Sequence, residues 1–68
     1  MTFGQRLRQI RQQQNKSQKS IEVVTGIPQT TISGWETGIS EPQVTDLKKL
    51  AAALGVSAAD LLDDSLPA

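Results

Sequence analysis

Cysteine, histidine and tyrosine are absent from the 68 residues, and phenylalanine and tryptophan occur once each. Without cysteine there is neither a disulfide framework nor a thiolate metal site. Without histidine as well, zinc would be left with carboxylates alone, so no metal is expected, and no motif asks for a cofactor. No apolar run approaches the roughly 20 residues that cross a bilayer. Nor is there the charged start, apolar stretch and small-residue cleavage site of an export signal. The expectation is a cytoplasmic protein with no membrane partner. Asp60, Asp63 and Asp64 cluster, but at a helix start and in a tail, with no histidine, cysteine or phosphate-binding loop beside them. The chain is not expected to be an enzyme.

The length suits one domain over residues 1–68, since a second core would not fit. A core this small stabilises only marginally, so every helix must contribute an apolar face. Net charge is zero, yet its distribution is uneven. Arg6, Arg8, Arg11, Lys16 and Lys19 stand against Glu22 alone in residues 1–35. Thereafter Lys48 and Lys49 are outnumbered by Glu36, Glu41, Asp46, Asp60, Asp63 and Asp64. The asymmetry suggests a basic face and an acidic face; ordinary solvated helix faces are the competing reading.

Thr2-Phe3-Gly4-Gln5 has the form of a capping box, and Phe3, Leu7 and Ile10 follow along one apolar stripe. Asn15 can stop this first helix in a left-handed conformation. Ser17 can cap a second helix with Ile21 and Val24 inward. After Gly26 and Ile27, Pro28 suits the first turn of a third helix, because its missing N–H has no partner there. Ile32 and Trp35 are that helix's buried residues, and Gly38 ends it. Thr37 to Pro42 is a loop by composition. Val44, Leu47, Leu50, Ala51 and Leu54 mark the clearest amphipathic helix, with Asp46 in its first turn and Gly55 as its stop. Ser57-Ala58-Ala59-Asp60 opens a short fifth helix that buries Leu61, with Leu62 as a second candidate. Residues 63–68 read as a frayed tail or linker. No stretch alternates as a strand would, so the class is all-α with five helices.

The functional signal lies in the second and third helices, joined by Thr25-Gly26-Ile27. Glycine takes positive φ without steric cost, so the chain can reverse sharply there. With Ile32 and Trp35 inward, the third helix turns Gln29, Thr30, Ser33 and Gly34 outward, with Thr31 at the edge. Glutamine can pair in a bidentate way with adenine, and serine or threonine can bond several base edges in a major groove that admits one helix. A face polar for solubility alone would carry the same residue types.

The order and spacing of several segments resemble the helix-turn-helix domains of phage repressors and Cro and the wider xenobiotic-response group of bacterial regulators. These segments are Phe3-Gly4-Gln5-Arg6-Leu7-Arg8, Ser17-Gln18, Gly26, Thr30-Thr31-Ile32-Ser33-Gly34-Trp35-Glu36, Glu41-Pro42 and Leu50-Ala51-Ala52-Ala53-Leu54-Gly55-Val56. The resemblance covers about residues 3–62. It implies a bacterial or phage-encoded regulator, a repressor in the first instance, whose recognition helix (about 28–36) enters the major groove of double-stranded DNA. It further implies that Gln18 touches the DNA backbone and braces Gln29, that Gln29, Thr30 and Ser33 meet bases, and that Thr31 lies near the backbone. Lys16, Lys19 and Thr37 complete the DNA-contacting set. Arg11 and Glu36 match a pair that ties the first helix to the end of the third.

Departures from the family pattern are specific. Glu22 stands where a small residue is usual, so its carboxylate must reach solvent or find a donor. Lys16 replaces an apolar residue, Pro28 a hydroxyl cap and Gly34 a long polar side chain, and the loop 37–42 has no lysine or arginine. Arg6, Arg8 and Arg11 could add phosphate contacts from the first helix. Few such contacts per monomer imply a homodimer on a palindromic operator, with Leu61, Leu62 and Leu66 as the candidate self-contact and core packing as the competing role of Leu61 and Leu62. The alternative is an antitoxin or co-regulator acting as a protein-interaction module, which the neutral charge and basic-poor loop also suit.

Overall fold

The computed structural model describes residues 2–62, which form α1 (Phe3–Gln13), α2 (Gln18–Thr25), α3 (Gln29–Glu36), α4 (Val44–Leu54) and α5 (Ala58–Leu61). The described chain is all-α, as expected. The expected tail at 63–68, including Leu66 and the acidic Asp63 and Asp64, lies outside the described residues.

Local chemistry sets each boundary. The Thr2 hydroxyl accepts the Gln5 N–H while the Gln5 side chain accepts the Thr2 N–H, closing a capping box. Ser17 caps α2 through the Ser20 N–H, and Ser57 caps α5 in a second capping box with Asp60. At the start of α4 the Asp46 carboxylate accepts the Gln43 N–H at 3.1 Å, so Asp46 acts by hydrogen bonding as well as by its charge. The stops fall at Asn15 (φ 56°) and at Gly26 (φ 77°), which take the left-handed conformation that ends a helix.

The core gathers Leu7 and Ile10 of α1, Ile21 of α2, Ile32 and Trp35 of α3, Leu50, Ala51 and Leu54 of α4, and Leu61 of α5. Ile27, in the turn between α2 and α3, is buried with them. Two expected core residues are not inside: Val24 is 68% exposed and Val44 66%. Val44 is the first residue of α4, beyond the turns that meet neighbouring helices. Val24 edges a shallow surface groove with Lys49, Ala52 and Ala53. Leu62 is also exposed, leaving Leu61 as the buried residue of α5.

The turn between α1 and α2 docks on the end of α4. Gln14 Nε2 donates to the Leu54 carbonyl at 2.6 Å and Lys16 Nζ to the Ala53 carbonyl at 3.0 Å. These are among the last carbonyls of a helix, which lack partners inside it, and a cation there also meets the negative end of the helix dipole. That explains a lysine at an otherwise apolar position.

Candidate nucleic-acid interface

Gly26 turns the chain between α2 and α3, and Thr25 fixes the turn. The Thr25 hydroxyl donates to the Ile21 carbonyl at 2.7 Å and accepts the Ile27 N–H at 3.1 Å. Ile27 anchors the turn in the core, and α3 then packs Ile32 and Trp35 inward. Gln29 and Thr30 are left exposed, while Thr31 and Ser33 are half-buried at the edges of the same outward face.

Gly34, half-buried, follows Thr30 by one turn on that face. Its carbonyl accepts the Ile39 N–H at 2.9 Å and the Ser40 N–H at 3.3 Å, so the loop after α3 folds over it. Thr37 is exposed, and its hydroxyl donates to the Ser33 carbonyl at 3.0 Å.

The far end of α3 is fixed by Glu36. Arg11 grips its carboxylate with two parallel bonds, Nε to Oε2 at 2.8 Å and Nη2 to Oε1 at 3.0 Å, and the two side chains are only 12% and 4% exposed. Such fork-to-fork pairing fixes direction as well as distance. The third Arg11 donor, Nη1, reaches the Lys16 carbonyl at 2.9 Å. Hydrogen bonding to Glu36 raises the Arg11 pKa above its ordinary value. Gln18 Nε2 also donates to Glu36 Oε1, at 3.1 Å. Gln18 is therefore braced by Glu36, where contact with Gln29 was expected.

The near end of α3 has no side-chain cap at Pro28. Glu22 stands in for one. Its Oε2 accepts the Gln29 N–H at 3.3 Å, and its Oε1 accepts from Lys19 Nζ at 2.8 Å. The hydrogen bond from Lys19, and then that from Gln29, lower the Glu22 pKa below its ordinary value. The unusual acid thus finds both a cation and a helix start. The missing hydroxyl cap at Pro28 was the sequence signal that could have paired the two.

The structure brings Gln18, Lys19, Gln29, Thr30, Thr31, Ser33 and Thr37 to the α2–α3 unit, but not Lys16, whose ammonium is engaged on α4. The arginines of α1 are mostly unavailable too. Arg6 Nε donates to the Asp60 carbonyl at 3.0 Å, and Arg11 is engaged by Glu36, while Arg8 is exposed.

Comparison with known proteins agrees with this geometry. A family model described as "Helix-turn-helix" matches residues 7–61. The chain is 38% identical over 64 residues to the control protein C.BamHI of Bacillus amyloliquefaciens, covering 93% of this chain and 79% of that protein. Its fold matches the crystal structure of the restriction-modification controller protein C.AhdI from Aeromonas hydrophila with a TM-score of 0.84 and 32% identity. That match covers 87% of this chain and 89% of the other. With α2, the Gly26 turn and α3 arranged as described, the chain belongs to the Cro/C1-type helix-turn-helix family of DNA-binding transcription regulators.

Proposed function

We propose that α3 reads an operator in the major groove, with Gln29, Thr30 and Ser33 meeting base edges. Gln18, Lys19, Thr31 and Thr37 hold the flanking phosphates. The observation that carries this reading is the orientation of α3: Ile32 and Trp35 are buried, and Gln29 and Thr30 are exposed. An α-helix with its side chains is about 10–12 Å across, comparable to the width of the major groove it must enter. The far end of α3 is held by a bidentate ion pair, so its outward side chains can be presented in one orientation.

The protein acts as a homodimer on a palindromic site, since base and phosphate contacts are both few in one copy. The names of the relatives point to the setting: one is a control protein and the other a restriction-modification controller. Control of the genes of such a system is the regulatory role that follows.

Selection of duplexes from a random pool, followed by titration of the enriched site, tests the reading. Gln29→Ala is expected to lose about 1–3 kcal/mol of discrimination at one base position while leaving the melting temperature unchanged. Unchanged affinity for the selected site would remove α3 as the reading element.

A further inference from the structure

An acidic side chain stands in the middle of the surface assigned to DNA. One Glu22 carboxylate accepts from Lys19 Nζ at 2.8 Å and from the Gln29 N–H at 3.3 Å. It therefore joins the cation assigned to phosphate to the first residue assigned to bases. Its two partners differ in freedom. The Lys19 side chain is 70% exposed and able to swing away, whereas that of Glu22 is 29% exposed and tied to the start of α3. Any phosphate that takes Lys19 must displace it from a carboxylate that remains in place.

The geometry points to Glu22 as an internal competitor for Lys19, a positioning residue that holds down the sequence-independent part of DNA affinity. This inference rests on the DNA-reading proposal. Phosphates are alike along any duplex, so the competition weakens operator and unrelated DNA by the same factor. The arrangement follows from Pro28. With no hydroxyl cap there, α3 takes its cap from a carboxylate on α2, and the charge that caps the helix also engages the neighbouring lysine.

Glu22→Gln separates the two roles, because an amide oxygen still accepts the Gln29 N–H but carries no charge. The selected operator and a scrambled duplex are titrated over a range of KCl concentrations with wild type, Glu22→Gln, Lys19→Ala and the double variant. The glutamine variant is expected to bind both duplexes roughly two- to fivefold tighter per bound copy at low salt, the value of one exposed ion pair. Its plot of log affinity against log salt steepens by roughly 0.9 for each bound copy, roughly 1.8 for a dimer, the equivalent of one more phosphate neutralised per copy. In the Lys19→Ala background the gain disappears, as a double-mutant cycle requires of two coupled groups.

Unchanged affinity and slope in a wild-type-like fold, or an equal gain without Lys19, overturns the inference and leaves the DNA reading intact. Should wild type itself show no salt-sensitive binding to any duplex, the DNA reading fails and the inference fails with it. If Glu22→Gln melts early, Glu22→Asp gives a second test. Its shorter side chain keeps the charge but loosens the hold on Lys19, so a gain between wild type and the glutamine variant is expected, and no gain overturns the inference.

Discussion

Glu36 joins three helices through one carboxylate: it accepts twice from Arg11 of α1 and once from Gln18 of α2, and it ends α3 itself. Taking two charges out of water is costly, and here the cost is offset by three hydrogen bonds of good length. The pair is therefore sensitive to the loss of one member. Glu36→Gln leaves the Arg11 guanidinium partly buried against a neutral amide that cannot accept two parallel bonds. The expected loss is about 3 kcal/mol, the lower end of the range for breaking a buried pair. For a domain of this length, whose total stability is about 3–10 kcal/mol, that is a large fraction. Urea unfolding measures it, with the midpoint falling and the slope m unchanged. Arg11→Lys should be nearly as damaging, because an ammonium cannot reproduce the fork. A midpoint within error of wild type for either variant would show the pair to be solvated and unimportant.

The helices themselves meet closely where α1 begins and α3 ends. A Cβ added at Gly4 would press on the carbonyl oxygens of Trp35 and Glu36, the latter at 2.8 Å. Alanine would add about 1 kcal/mol of helix propensity, but overpacking costs about 1–3 kcal/mol, and these obstacles are backbone atoms that cannot rotate aside. Gly4→Ala is therefore expected to lower stability by about 1 kcal/mol, about 4–8 °C in Tm for a domain of this size. A raised Tm would mean that the two helices can slide apart freely. Nothing in Phe3-Gly4-Gln5 announces this contact, because it depends on where another helix passes. The helix limits, by contrast, were legible. Thr2 with Gln5, Ser17, Ser57 with Asp60, Asn15 and Gly26 act on their own neighbours, and local chemistry can be read locally. Periodicity found the inward faces of α1 and α3 but misplaced Val24 and Val44, since an apolar stripe does not tell how far its partner extends. The α2–α3 unit was legible as a unit. The destinations of Lys16, Gln18 and Glu22 were not, because each side chain reaches a partner on another element.

At the scale of the whole molecule, the uneven charge of the sequence does not become a broad basic face. Of the five cations in the first half, Arg6, Arg11 and Lys16 hold helices together through Asp60, Glu36 and Ala53. Lys19 is paired with Glu22, and Arg8 is exposed. A single copy thus brings few cations to a duplex, and each phosphate neutralised contributes only roughly 0.9 to the slope of log affinity against log salt. Two copies on one face of the duplex would double that slope and the base contacts together, which is the physical argument for the proposed dimer. The arrangement makes a geometric demand. Half-sites must lie about one helical turn, roughly 10 base pairs, apart or a multiple of it, so that both α3 helices meet the same side of the DNA. Inserting five base pairs between the half-sites rotates one to the opposite side. The affinity is then expected to fall to that of an isolated half-site and the salt slope to fall by half, measured by titration at several KCl concentrations. Retention of the full affinity and slope across that insertion would mean that one copy suffices, and that the contacts of Lys19 and α3 are stronger than their number implies.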